Sequence, residues 1–231
     1  MNLHPSLNKE MSICQYMDLD YLIRMLATGQ YFIRQKRGFP DKRERALPVN
    51  QMFPVHLANT KVPEEVLNTE AEERQKGMRE YEEHSSALTS CWTASLPDSY
   101  LMWKSYTSKM GVCITSSIED FDASLSQNAI EIACGPTEYG SHNAYDDFTT
   151  RMFKKEPGYA AENEIRFYIG VKDSETPNSN GGVYLTVDCK RLINKVILSP
   201  FIDPEAARLL REWISSMYGI SVVSSSLKIT C

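Results

Sequence analysis

The chain has 231 residues, 42% hydrophobic and 24% charged, and a formal net charge of -5 at pH 7. These fractions are ordinary for a soluble globular protein, and the length suits a single domain, 1–231, with a sizeable core. The negative balance excludes a duplex-binding module that works through a broadly basic surface, though not an enzyme that touches nucleic acid through a local patch. Cysteines stand at 14, 91, 113, 134, 189 and 231 without a Cys-x-x-Cys pair. The opening "MNLHPSLNKEM" lacks the basic-then-apolar order of a secretory leader. Reduced thiols and a cytoplasmic location are therefore expected. His4, His56, His84 and His142 show no zinc-ligand spacing, so no metal site is expected. No apolar run is long enough for a membrane span.

In chain order, "MDLDYLIRMLATGQ" predicts an amphipathic helix capped by Asp18 and stopped by Gly29, and "YFIRQ" a strand. Residues 35–50 read as a basic loop, with five Lys/Arg between 36 and 45. Such a run is either a solvated loop or an anion or nucleic-acid contact. Residues 62–84 read as an acidic helical insertion. "SALTSCWTAS" predicts a strand and "DSYLMWKSYTSKMG" a helix capped by Asp98. "VCITSS" and "AIEIACGPTEYG" predict strands, and "YDDFTTRMFKKE" a helix. "GYAAENEIRFYIG", "GVYLTVD" and "INKVILSP" predict further strands. "DPEAARLLREWISSMYG" predicts a helix capped by Asp203, with Ala206, Leu209, Leu210, Trp213, Ile214 and Met217 as a core-packing stripe. "ISVVSSSLKI" closes the chain as strand. This irregular mixture points to an α+β fold, a mainly antiparallel sheet with flanking helices. Gly-x-Gly-x-x-Gly, the P-loop and Gly-x-Ser-x-Gly are absent.

Three stretches carry chemical potential. In the first, Arg34 sits inside a strand, which calls for a salt bridge or an anion to bind. In the second, Trp92, Tyr100, Trp103 and Tyr106 gather beside Ser90, Thr93 and Ser95, as core or as a stacking pocket for a flat ring. In the third, a strand through 162–169 would set Ile165, Phe167 and Ile169 on a core face. Glu162, Glu164, Arg166 and Tyr168 would then share the other face, as an exposed ion-pair ladder or the floor of a site. Crowded carboxylates raise one another's pKa, and Arg166 would oppose that and keep them ionised. A fixed carboxylate beside an anion-binding arginine suits stabilisation of an oxocarbenium-like sugar with a phosphate held nearby.

Taken together, "FPDKRE", "SCWTAS", "LMWKSYTSKMGVCI" and "ENEIRFYI" resemble a widespread prokaryotic family of unknown function. Its members carry a Leu-Trp-x-x-Tyr block followed by glycine, and a Glu-x-Glu-x-Arg strand. Trp103, Tyr106, Gly111 and Glu162, Glu164, Arg166 carry that resemblance, which spans roughly residues 13–227. In "FPDKRE", Phe39, Asp41 and Glu44 are kept.

The late Glu-x-Glu strand after an aromatic-lined middle also resembles the ADP-ribosyltransferases. That resemblance implies NAD as substrate, Glu164 as catalytic glutamate, and Glu162 activating the acceptor. It further implies NAD contacts from Tyr16, Arg34, Ser90, Trp103, Tyr106 and Arg166. The expected protein is a toxin or phage-defence effector acting on RNA, single-stranded nucleic acid or protein, with a possible antitoxin partner. The alternatives are a non-catalytic sensor or interaction domain, and a metal-dependent nuclease.

Overall fold

The computed structural model describes residues 1–36, 75–76, 79, 87–95, 97–140, 148–171 and 181–228. Most of the basic loop and of the acidic insertion, and all of Phe39, Asp41 and Glu44, lie outside the described residues. The strands in chain order are β1 (Asn2–Leu3), β2 (Ser12–Asp18), β3 (Gln30–Gln35), β4 (Leu88–Thr93), β5 (Gly111–Ser117) and β6 (Ile130–Pro136). They continue as β7 (Glu138–Tyr139), β8 (Lys154–Lys155), β9 (Glu164–Val171), β10 (Gly182–Thr186), β11 (Lys195–Leu198) and β12 (Val222–Ser224). The helices are α1 (Leu19–Thr28), α2 (Tyr100–Tyr106), α3 (Ile118–Ser124), α4 (Phe148–Met152), α5 (Cys189–Leu192) and α6 (Pro204–Tyr218), with a 3-10 helix at Pro157–Glu162.

The fold is α+β, with a mainly antiparallel sheet and flanking helices, as the sequence predicts. Its strands run in the order β1-β6-β9-β4-β2-β5-β11-β12. Only β1 on β6 and β12 on β11 pair in parallel within it. The β11–α6–β12 unit supplies the long crossover that a parallel pair needs.

The sheet branches at β4. One edge of β4 pairs with β9 along Leu88–Thr93. The other edge is shared: β3 takes Leu88 and Thr89, whereas β2 takes Thr93. Between these points β2 and β3 part. A chain of side chains braces the gap. Tyr31 of β3 donates from its hydroxyl to Gln15 Oε1 of β2 at 2.9 Å, and the Gln15 amide donates to the Cys91 carbonyl of β4 at 3.0 Å. Ser90 Oγ lies 2.7 Å from the Tyr31 hydroxyl and accepts the Trp92 indole N–H at 2.9 Å.

Period-two alternation divides the core between the two sheet faces. Ile13, Ile33, Trp92, Val112, Ile114, Ile165, Phe167, Ile169, Val196 and Leu198 face α1 and α3 in the larger cluster. Their neighbours Cys14, Tyr16, Cys113 and Ile197 point the opposite way and pack on Met102 and Trp103 of α2. The alternation predicted for Ile165, Phe167 and Ile169 holds. The gathering of Trp92 with Trp103 does not, because the strand turns Trp92 into the other core, edge-on to Phe121.

Helix ends explain several local differences. Gly29 and Gly219 close α1 and α6 in the left-handed region, at φ 63° and 68°, where glycine carries no Cβ penalty. Asp203 caps α6 through the Glu205 and Ala206 amides. Asp18 precedes α1 but accepts the Ser108 amide instead. Ser99, not Asp98, caps α2, and Asp98 accepts the Trp103 indole N–H at 2.9 Å. The α6 stripe is only partly core. Ile214 is buried and Ala206 and Leu210 are half-buried, whereas Leu209, Trp213 and Met217 are exposed; Ala207, outside the predicted stripe, is buried instead of Ala206. Among the described residues no helix is long and apolar enough to cross a membrane.

Candidate functional site

The stretch around Glu162 departs from a continuous strand. Pro157 opens the 3-10 helix, Asn163 turns the chain through the left-handed region at φ 45°, and β9 starts only at Glu164. Asparagine tolerates that conformation better than most side chains. The turn is pinned by the Thr93 hydroxyl donating to the Glu162 carbonyl at 2.6 Å, and by the Ala94 amide donating to the Asn163 carbonyl at 2.9 Å. Glu162 and Glu164 thus reach one place from two elements rather than from one strand face.

That place is buried. Glu162 is 8% exposed, Glu164 5% and Arg166 1%. An exposed ladder is therefore not what this sequence builds. Arg166 grips Glu164 with Nε to Oε1 at 2.9 Å and Nη2 to Oε2 at 3.1 Å, while its Nη1 donates to the Met152 carbonyl at 3.0 Å. Lys155, from β8, stands between the carboxylates, 2.6 Å from Glu162 Oε2 and 3.3 Å from Glu164 Oε2. The Tyr106 hydroxyl donates to Glu162 Oε1. Tyr139 pairs with Lys155 across β7 and β8, and its hydroxyl accepts the Glu164 amide at 2.7 Å. Lys155 also lies over the Tyr159 ring, 4.5 Å from its centroid.

Burial alone would raise the Glu164 pKa. The charge and hydrogen bonds of Arg166, with Lys155 and Cys91 adding to them, outweigh burial and hold the carboxyl below its ordinary range. Glu164 is thus an anion at neutral pH. Burial and the neighbouring Glu162 push the Tyr106 phenol up, so it remains a proton donor.

These groups sit at one end of a cleft of about 750 Å³, within the usual range for small-molecule sites. The cleft follows the branch between β2 and β3. Its far wall carries Arg24, Phe32, Arg34 and Tyr184. Arg24 donates to the Tyr184 hydroxyl at 2.8 Å, and the Phe32 and Tyr184 rings lie 5.0 Å apart. Arg34 is opposite Thr89 on one edge of β4, and Glu164 is opposite Thr93 on the other. Strand rise and spacing place their backbones roughly 16 Å apart. Tyr21, Tyr106 and Tyr159, all part-exposed, stand among the lining residues.

Of the residues singled out from sequence, Tyr16, Arg34, Ser90, Trp92, Thr93, Tyr106, Glu162 and Glu164 line this one cleft. Trp103 and Arg166 do not. Trp103 has no exposed surface, packs edge-on against Tyr16 at 4.8 Å and is held by Asp98. Arg166 lies behind Glu164 and is spent on it. The Tyr16 hydroxyl oxygen accepts the Asp98 and Ser99 amides, so it also shapes the α2 entrance. Sequence reasoning missed Lys155, Gln15 and Tyr31. Lys155 reads as the end of a helix, whereas it lies in β8, paired with the distant β7. Among the described residues, no group of three or more His, Cys, Asp or Glu side chains is arranged to hold a metal ion.

No family model and no curated protein matches the sequence. Solved structures of Thermus sp. 2.9 DarT are similar at low level. The complex with ADP-ribosylated ssDNA shares 9% identity over 94% of each chain, with a TM-score of 0.40. The complex with NAD+ shares 10% identity over 94% of this chain and 96% of the other, with a TM-score of 0.41.

Proposed function

We propose that the cleft binds NAD as a substrate and transfers its ADP-ribose to a macromolecular acceptor. The observation that carries this reading is a buried, ionised Glu164 at one end of a cleft whose other wall presents Arg24 and Arg34. That separation fits an extended dinucleotide, with its phosphates towards the guanidiniums and its nicotinamide ribose at Glu164. Phe32 and Tyr184 offer apolar faces beside the arginines.

In this reading the ribose C1′–nitrogen bond breaks, and nicotinamide leaves as a neutral base with the bonding electron pair. Positive charge develops on the ribose, and the Glu164 carboxylate stabilises it from a pre-set position. The acceptor nucleophile then bonds to C1′ and gives its proton to Glu162, the carboxylate beside Glu164. The part-exposed tyrosines Tyr21, Tyr106 and Tyr159 favour an acceptor with flat rings, such as RNA or another single-stranded nucleic acid, over protein. An enzyme of this kind consumes NAD and marks macromolecules, so the setting we propose is a cytoplasmic toxin or defence effector restrained by an antitoxin.

The bidentate Arg166–Glu164 pair favours a second reading, a binding domain in which these charges are only a structural lattice. Incubation with radiolabelled NAD and, in turn, RNA, single-stranded DNA and cell protein separates the two. Label on one acceptor fraction supports transfer, and no label with measurable NAD binding supports the lattice.

A further inference from the structure

Among the described residues, Glu162 and Glu164 at the carboxylate end of the cleft meet two cations, Lys155 beside them and Arg166 behind, and Lys155 touches both carboxylates. Glu164 takes two hydrogen bonds from Arg166. Among the described residues Glu162 meets no arginine and relies on Lys155 at 2.6 Å, with the Tyr106 hydroxyl on its other oxygen. Lys155 reaches past it to Glu164 at 3.3 Å. Lys155 is 7% exposed, and its ammonium lies over the Tyr159 ring, where it gains cation–π attraction.

We infer that Lys155 is a positioning residue for transfer: by bridging Glu162 and Glu164 it keeps both carboxylates charged, close together and aimed into the cleft. This rests on the reading of Glu164 as the oxocarbenium stabiliser and Glu162 as the acceptor's base.

The physical argument is one of charge balance. Two carboxylates this close in a buried site repel, and the usual relief is for one to take up a proton. A protonated Glu164 could not stabilise a cation, and a protonated Glu162 could not accept the acceptor's proton. Arg166 compensates one charge, and Lys155 compensates the other while tying the two side chains together. Among the described residues, the other titratable neighbours of this group are Tyr106 from α2, Tyr139 from β7, Tyr159 from the 3-10 helix and Cys91 from β4. None of these brings a positive charge. The geometry also explains why β7 and β8 form a separate two-stranded ladder: it holds Lys155 from the backbone, with Tyr139 of the same ladder on the Glu164 amide.

The test compares full-length wild type with Lys155→Gln, which keeps a hydrogen-bond donor and loses the charge, and Lys155→Arg, which keeps the charge. Nicotinamide release is followed against pH, and proton uptake by the carboxylates is followed by 13C NMR of labelled glutamate. Lys155→Gln should move the acid limb of the rate profile up by about one pH unit or more, and lower kcat far more than it changes KM for NAD. Lys155→Arg should keep the wild-type profile. In the NMR titration, Lys155→Gln should take up a proton at the carboxylate pair at a distinctly higher pH than wild type. Unchanged carboxyl titration in a folded Lys155→Gln protein overturns the proposal, as does equal loss of activity at all pH values in both variants. Should Lys155→Gln fail to fold, wild type alone decides: the ammonium should give nuclear Overhauser contacts to the side chains of both glutamates, and the absence of either contact overturns the bridge. If wild type releases no nicotinamide, the transferase reading fails, while the NMR titration still decides whether Lys155 sets the charge of the pair.

Discussion

Arg166 holds Glu164 through two parallel hydrogen bonds, at 2.9 and 3.1 Å, in a site where the two side chains are 1% and 5% exposed. A bidentate guanidinium fixes both the position and the plane of the carboxylate, which a lone lysine could not do. The same contact makes Glu164 hard to mutate without consequence. It joins the proposed chemistry to the stability of β9.

Glu164→Gln should abolish nicotinamide release and also destabilise the protein. Removing one member of a buried ion pair typically costs about 3–5 kcal/mol, because the remaining charge loses its partner. Differential scanning calorimetry should show a clear fall in Tm, and activity should be compared at a temperature where the variant is still folded. An unchanged Tm would show that the pair adds nothing to the fold.

The depressed Glu164 pKa sets the sign of a pH effect. A carboxyl whose folded pKa lies below its unfolded value binds fewer protons in the native state. Its stabilising contribution is complete above the ordinary glutamate value of 4.5 and drains away as pH falls from there through the folded pKa. Denaturant titrations of wild type should lose stability over that acid range, and the loss should be shallower in Glu164→Gln. Parallel acid limbs in both proteins would contradict the assignment.

Much of this organisation is legible in the sequence. The alternation of Ile165, Phe167 and Ile169 gives β9 its core face, and Gly29, Gly219 and Asp203 mark helix ends where they fall. The α3 helix at Ile118–Ser124 is not among the expected elements, although Ser117 caps it by accepting the Asp120 amide. That Ser-x-x-Asp signal is short and follows directly on a strand. Glu162 reads as strand because its neighbours alternate. Pro157, Gly158 and Asn163 are the signals that break the strand, and they outweigh the pattern. Lys155 is not legible at all, since its partners meet it only through the β7–β8 pairing and the turn at Asn163.

Arg34→Ala should weaken NAD binding by roughly ten- to a hundredfold, the usual effect of losing a charge-assisted hydrogen bond. Turnover at saturating NAD should change little, because Arg34 stands far from Glu164. Isothermal titration calorimetry and initial rates check the two halves. A fall in kcat at unchanged affinity would place the dinucleotide differently in the cleft.

Trp103 belongs to the core beneath α2, so its substitutions should act on stability. Trp103→Ala should cost about 3–5 kcal/mol. Trp103→Phe should cost about 1–3 kcal/mol, mainly from the lost indole bond to the Asp98 carboxylate. NAD affinity of folded Trp103→Phe should match wild type in calorimetric titration. A marked loss of affinity at unchanged Tm would restore Trp103 as a ligand contact.

The central claim is that Glu164 stabilises charge on a ribose as nicotinamide leaves. Single-turnover release of nicotinamide from labelled NAD, measured on folded wild type and folded Glu164→Gln at matched NAD occupancy, tests it most directly. The account predicts release by wild type and a fall of at least about a hundredfold in the variant, of the size seen when one charge-stabilising group is removed. Equal rates in the two proteins, or no release by wild type with NAD bound, would contradict it.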